Sequence, residues 1–428
     1  MYSTFINCSF LQQNLTRQPR LSADTENHFR LPMTDQVTDV SGLNVYPCFL
    51  PDEHCIRHIK NRIDGAQISI IVQAYRFTSK SIGEALINCV KRGVTVKILI
   101  DKDGSPQKNN YLQNLANGGI EIQVDGQYGR AHNKVIIIDE DYVITGSYNF
   151  IDEEDYCDSD TVVFITDACV NKKFRDYYEF INSENQSFVN AETTLQQFDD
   201  NFFENYIIKK MPIDHRTPKQ PSKQMAQYER LTENRSDFFG LPSWHNCCPV
   251  LNSSYNTSTD DEGNLKSEDT VYIDVCFPRF KNQDCIQLIA KYINNAEHSI
   301  FIQACSITHE SILDALNAAR AKIIDLKILI DTKAFDDKGE KVRNIISGGI
   351  EVRYDKTCPR GIAHSKTIII DEDVVLTGSF NLTKSAQNFN QENLLQMKNL
   401  KLNGMFKEQF YKKWNAGSKV EFRKIEDS

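Results

Sequence analysis

Two histidines, His132 and His364, each stand two residues before a lysine, Lys134 and Lys366, and seven before an aspartate, Asp139 and Asp371. Each of these segments is followed by a Gly-Ser-aromatic-Asn run that supplies Ser147 and Asn149 in one copy, Ser379 and Asn381 in the other. Both the histidines and the serines repeat at an offset of 232 residues. An imidazole titrating near neutrality, a fixed cation, a hydroxyl and an amide donor together can break a phosphodiester by covalent catalysis. That chemistry needs a nucleophile, an acid for the leaving oxygen, and donors for the charged oxygens. A single His-x-Lys in an apolar strand reads equally well as a core histidine making one hydrogen bond. Six matched residue types at matched spacing, twice, do not. One histidine cannot act as attacking group and waiting acid at the same moment, whereas two facing each other can, one neutral and one protonated.

On a strand, residues i and i+2 project to the same face, so each His and Lys can address one phosphate. Asp139 and Asp371 lie seven positions beyond their histidines and fall on the opposite face, which predicts a structural role. Thirteen residues beyond Ser147 lies Asp160, and thirteen beyond Ser379 lies Glu392. Either carboxylate could fix the tautomer of a catalytic imidazole, as an orienting acid does in other histidine-dependent sites; a solvated loop acid is the plainer alternative.

The repeat extends to the elements that must carry these residues. Gln73-Ala74 matches Gln303-Ala304, Lys97 to Asp101 matches Lys327 to Asp331, and Gly118 to Glu121 matches Gly348 to Glu351, all at an offset of 230. A two-residue insertion therefore lies between Asp355 and His364, in the loop leading to the second signature. Strands are predicted over 68–77, 94–100, 121–124, 134–138, 142–145 and 162–165, and helices over 81–92, 109–117 and 174–181, with the pattern repeating from 271 to 414. Continuous Val/Ile runs imply strands covered on both faces. The fold class is α/β, as two homologous lobes related by a pseudo-twofold, each a mixed sheet flanked by helices. The expected boundaries are an N-terminal extension 1–43, a first lobe 44–183, a linker 184–270 disordered near 253–268, a second lobe 271–417 and a tail 418–428.

Length and composition agree with two soluble lobes: 428 residues, 40% hydrophobic and 25% charged. No apolar run approaches the roughly 20 residues of a membrane span, and residues 1–11 lack the pattern of a secretory signal. Twelve cysteines show no metal-ligand spacing. Cys89, Cys276, Cys285 and Cys305 fall in apolar patterns where a reduced thiol acts as a small hydrophobe, so a reducing compartment is expected. A net charge of −9 argues against a dedicated polyanion binder.

His-x-Lys-x4-Asp followed by Gly-Ser-x-Asn, present twice, resembles the phospholipase D superfamily over residues 44–183 and 271–415; each half also resembles the small single-motif bacterial endonucleases of that superfamily, which dimerise to build one site. The resemblance implies a metal-independent phosphodiesterase without cofactor, working through a phosphohistidine. It assigns nucleophile and acid roles to His132 and His364 (His132 as nucleophile), and phosphate binding to Lys134, Lys366, Asn149 and Asn381. The family's glutamate after Gly-Ser-x-Asn matches Glu392; the first copy departs from it with the shorter Asp160. For substrate, the acidic segment 152–160 would repel a nucleic-acid backbone, which favours a phospholipid met at a membrane surface and cleaved to phosphatidic acid. Nucleic acid is the alternative substrate, and a catalytically silent membrane-binding scaffold is a third reading that the intact motifs oppose. The expected protein is a monomer holding both half-sites. It is expected in the cytoplasm, peripheral to a membrane through an exposed loop or the basic helix near Lys407 to Lys413, or exported without a cleavable signal.

Overall fold

The computed structural model describes residues 43–104, 111–125, 129–184, 188–189, 271–322, 324–331, 345, 348–356 and 361–420. The expected disordered stretch, residues 357–360 of the loop expected to carry the two-residue insertion, and most of the N-terminal extension, linker and tail lie outside them.

The first repeat contributes β1 (Val45–Phe49), α1 (Cys55–Gly65), β2 (Ser69–Ala74), α2 (Lys80–Lys91), β3 (Thr95–Asp101), α3 (Tyr111–Asn117), β4 (Glu121–Asp125), β5 (Lys134–Ile138), β6 (Tyr142–Gly146), α4 (Glu154–Cys157), β7 (Thr161–Thr166), α5 (Ala168–Glu184) and β8 (Phe188–Val189). The second contributes β9 (Tyr272–Cys276), α6 (Cys285–Asn295), β10 (Ser299–Ala304), α7 (Glu310–Ala321), β11 (Asp325–Ile330), β12 (Glu351–Tyr354), β13 (Thr367–Ile370), β14 (Val374–Gly378), α8 (Lys384–Asn388), β15 (Leu394–Lys398), α9 (Leu400–Ala416) and β16 (Ser418–Lys419). Two eight-stranded sheets result, ordered β1-β7-β6-β5-β2-β3-β4-β8 and β9-β15-β14-β13-β10-β11-β12-β16. The same order twice is the duplication seen in the sequence. β2-β3-β4 and β10-β11-β12 are parallel and the remaining pairings antiparallel, so each sheet is mixed, and the α/β assignment holds.

The edge strands β8 and β16 fall inside segments expected as linker and tail. They pair with β4 and β12 and cover edges that would otherwise expose unpaired backbone. α1, whose Cys55, Ile59 and Ile63 are buried at helical spacing, and β1 escaped the sequence reading. Burial explains the continuous apolar runs. One face of each sheet packs on α1–α3 or on α6 and α7, forming a separate core in each lobe. The opposite faces share a third core, in which Phe174 and Tyr177 of α5 meet Phe277, and Phe406 of α9 meets Phe49. Apolar packing thus joins the two lobes.

α9 packs one face against the first lobe and leaves Lys412 exposed on the other. Lys413 is buried and donates to Leu50 O at 3.3 Å and Ser159 Oγ at 2.6 Å, and Gln409 donates to Asp52. Burial of Phe406, Phe410 and Trp414 on the same face outweighs the charge pattern. No described helix is long and apolar enough to cross a membrane.

The cysteine reading is corrected in part. Cys276 and Cys285 are not free thiols but form a disulfide that ties β9 to α6, and Cys48–Cys55 makes the same tie between β1 and α1. The edge strand and the following helix bring the Cα atoms of these pairs to 5.9 and 6.0 Å, within bridging range. Cys89 and Cys305 form no disulfide among the described residues.

Candidate active site

β5 and β13 deliver the His-x-Lys segments to the seam between the lobes, where each is stitched to the loop following the other lobe's Gly-Ser-x-Asn. His132 N donates to Gln391 O and Gln391 N to Arg130 O, while His364 N donates to Ser159 O and Ser159 N to Ile362 O. Lower down, Asn393 Nδ2 donates to Asn133 Oδ1 at 2.9 Å, and Thr161 Oγ1 meets Ser365 Oγ at 3.1 Å. The consequence is an exchange of partners. His132 Nδ1 lies 2.9 Å from Glu392 Oε2 of the second lobe, and His364 Nδ1 lies 3.0 Å from Asp160 Oδ1 of the first. Neither lobe can orient its own histidine.

Glu392 and Asp160 are wholly buried. Ser379 Oγ donates to Glu392 at 2.7 Å and Ser147 Oγ to Asp160. Both serines, counted in the sequence reading among the catalytic groups, therefore stand behind the carboxylates and hold them in place. Each serine also accepts from the residue after its carboxylate, Thr161 N and Asn393 N, at 3.0 Å. The preceding glycines make this approach possible. Gly146 (φ 147°) and Gly378 (φ 150°) would place a Cβ 2.0 and 2.3 Å from Thr161 O and Asn393 O, which no other residue could do without moving the strands apart.

Asp139 and Asp371 sit at the far end of their strands with left-handed φ of 48° and 50°. Asp139 accepts backbone N–H groups from Gln67, Ile68 and Ser69, and Asp371 accepts those of Glu297, His298 and Ser299. They brace the entry to β2 and β10, remote from the imidazoles. Asn171 and Asn403 brace the same turns by donating to Tyr142 O and Val374 O at 3.0 Å. The repeat at 232 residues would have revealed this pair, which the sequence reading missed.

Lys134 and Lys366 are buried and turn their ammonium groups back to the carbonyls of His132 and His364. Asn149 donates to Glu154 Oε2 at 3.1 Å while its own oxygen has no partner in the structure. Asn381 is half-buried at the equivalent place. Glu154 was not singled out by the sequence reading, being one acid in an acidic run; its counterpart in the second copy is Ala386.

The charges act on one another across the seam. Burial lowers the His132 imidazole to about 4, against the raising pull of Glu392, with Lys134 and Lys366 adding to the fall. Burial and Lys366 likewise lower His364, opposed by Asp160. Burial brings Lys134 down to about 7 and lowers Lys366. By itself burial would raise the carboxyls of Glu392 and Asp160, yet the facing imidazoles and lysines hold both below the usual range. Each histidine feels the other lobe's lysine, so the two signatures share one electrostatic site. At neutral pH it holds uncharged imidazoles whose tautomers are set by anions, beside two lysines poor in solvent. An anion entering between them would favour the charged form of both lysines.

Among the described residues, Glu154, Asp158 and Asp160 offer carboxylate oxygens within 4.8 Å of one another. Asp158 already accepts Ile362 N and Asp160 accepts Ser147 Oγ and faces His364.

A family model described as cardiolipin synthase, PLD-like domain, matches residues 59–182 and 289–414. A phospholipase D of Rickettsia conorii is 42% identical over 131 residues, which cover 31% of this chain and 66% of that protein. A phospholipase D of Rickettsia typhi is 38% identical over 166 residues, 39% of this chain and 76% of the relative. The crystal structure of phosphatidylserine synthase from Haemophilus influenzae superposes with a TM-score of 0.59 at 14% identity, covering 88% of this chain and 87% of that one; it shows the fold alone. The domain matches take in more than half of the chain and place one copy in each lobe, so the chain belongs to the phospholipase D superfamily of phosphodiesterase hydrolases, with both PLD-like domains on one polypeptide.

Proposed function

We propose that the protein is a phospholipase D that hydrolyses the head-group ester of a phospholipid to phosphatidic acid through a phosphohistidine. The observation that carries this reading is the exchanged pairing of His132 with Glu392 and of His364 with Asp160. A carboxylate at Nδ1 of each ring holds the proton there and leaves Nε2 with a free lone pair. His132, lowered to about 4, is unprotonated at neutral pH and supplies the nucleophile. It attacks phosphorus while Lys134, Lys366, Asn149 and Asn381 take the charge on the non-bridging oxygens. The bound anion raises the proton affinity of His364, which gives its proton to the departing head-group oxygen. His364 then takes a proton from water, whose oxygen displaces His132 from phosphorus and regenerates the site. One chain supplies every group in this scheme, which supports a monomer.

A lipid substrate is supported by the relatives named phospholipase D and by the acids Asp158 and Asp160 beside His364, which oppose a continuing chain of phosphates. Disulfides persist where the surroundings oxidise thiols, and the pair at Cys48–Cys55 and Cys276–Cys285 supports an exported protein acting at a membrane surface.

Labelled phosphatidylcholine, phosphatidylethanolamine and phosphatidylglycerol vesicles, with single- and double-stranded DNA in parallel and chelator throughout, test the reading. Head-group release without DNA cleavage is expected, and label on His132 is expected after quenching in alkali. DNA cleavage without lipid turnover refutes the lipase, and loss of all activity in chelator refutes the metal-free scheme.

A further inference from the structure

The duplicated site is not electrostatically symmetric at its mouth. Tyr75 follows β2, and its backbone N–H donates to Asn133 O at 3.1 Å, between the catalytic His and Lys. Its ring centroid lies 5.1 Å from that of His132 and 5.2 Å from Lys134 Nζ. The exposed guanidinium groups of Arg76 and Arg130 gather on the same ring, their central carbons 5.4 and 5.6 Å from its centroid. The backbone of Arg130 is pinned at the seam by Gln391 N and by its own N–H on Asn390 Oδ1, so its side chain starts from a fixed point. Among the described residues neither guanidinium has a carboxylate within ion-pair distance.

The equivalent positions of the second lobe are Cys305, Ser306 and Ile362. The same contact even recurs there with opposite character: Ile362 N donates to Asp158 Oδ1 at 2.9 Å where Arg130 N meets the neutral Asn390. An Arg facing an Asn at one end thus becomes an Ile facing an Asp at the other. Among the described residues, the His132 end presents two cations without an acidic partner on an aromatic platform, while the His364 end has no arginine there and carries Asp158 in place of Asn390.

We propose that Arg76 and Arg130, on the ring of Tyr75, form a subsite for a second anionic group of the substrate, so that the preferred lipid carries a further phosphate in its head group. The proposal rests on the lipid reading above and deepens it. A planar guanidinium binds phosphate through two parallel N–H donors, and holding it against an aromatic face limits the ordering cost. A polyanion extending both ways from the scissile ester would find Asp158 rather than a second pair of arginines at the far end; a lipid with one extra phosphate on one side would not.

The test uses a matched pair of substrates, phosphatidylglycerol and phosphatidylglycerophosphate, in mixed micelles of an uncharged detergent, where attraction to a charged bilayer does not operate. The protein is expected to prefer the phosphorylated lipid in kcat/KM. The variant R76A/R130A is expected to lower that preference by roughly tenfold or more, through KM, since a charge-assisted contact of this kind contributes on the order of a decade in affinity; R76K/R130K should retain part of it. Hydrolysis of both lipids with a ratio that the variants leave unchanged overturns the subsite alone. Failure to hydrolyse either lipid overturns the lipid reading and this assignment with it. If the variants instead lose cleavage of an oligonucleotide, the cations serve a nucleic acid and the assignment is equally overturned.

Discussion

Replacing Glu392 by Gln keeps the side chain's shape and removes its charge. In the structure Oε2 takes His132 Nδ1–H at 2.9 Å and Ser379 Oγ–H at 2.7 Å, and Oε1 takes Asn390 Nδ2 at 3.0 Å. An amide cannot serve all three. With its oxygen toward His132, its NH2 faces the NH2 of Asn390, donor against donor. With its NH2 toward His132, it can only donate to Nδ1, which drives the imidazole proton onto Nε2 and occupies the attacking lone pair. A hydrogen bond to a charged partner contributes about 1.5–3 kcal/mol, so the first arrangement costs roughly 10- to 150-fold in rate at about 1.36 kcal/mol per decade. The second approaches the ~10⁴-fold loss seen when the buried acid of a Ser-His-Asp triad becomes an amide. E392Q should therefore lower kcat by between roughly 10- and 10⁴-fold on a chromogenic phosphodiester, with KM little changed. The pH profile gives a second readout. Glu392 raises His132, so its removal should move the acid limb of kcat/KM below the value of about 4. A kcat within about threefold of the parent, or an acid limb that moves upward, would refute the orienting role, provided circular dichroism shows an intact fold.

Burial, with Asp160 and Asp158 beside it, raises Glu154 from 4.5 to about 8, so its contribution to stability is complete below pH 4.5 and is lost as pH rises through about 8. E154Q should flatten the fall in Tm between pH 5 and pH 9; an unchanged slope in thermal scans would sink the assignment. Reducing Cys48–Cys55 or Cys276–Cys285, whose partners are 7 and 9 residues apart, should each cost about 2 kcal/mol through loop closure and lower Tm by several degrees. Thiol titration that finds these four cysteines free in the unreduced protein contradicts that. Gly146→Ala forces a Cβ to within 2.0 Å of Thr161 O and should cost at least ~3 kcal/mol by strain and displacement. Gly93→Ala, with φ of 92° but nothing within 4 Å, should cost only about 1–2 kcal/mol; equal Tm losses would show that strand approach is not what requires glycine at 146.

The repeat was legible because catalysis constrains residue types at fixed spacing and a β-strand turns that spacing into a shared direction. His132 and Lys134, His364 and Lys366, the α/β alternation and the far-end placement of Asp139 and Asp371 all follow from local geometry of this kind. The carboxylates at 160 and 392 were legible as candidates only, since nothing in their spacing from Ser147 and Ser379 says which histidine each will meet.

That choice belongs to the tertiary structure. Each loop after Gly-Ser-x-Asn crosses the seam and pairs with the opposite strand's entry, so Glu392 reaches His132 over 260 residues of chain and Asp160 reaches His364 over 204. The same packing buries Lys413 of a helix whose charges pointed outward on paper, and brings the cysteines at 276 and 285 within bonding range. It also sets two arginines on one tyrosine ring at one end of a site whose other end collects acids. The residues of one copy state what chemistry is available; only the closure of two lobes on each other decides which group faces which, because side chains distant in sequence acquire partners through packing and not through periodicity.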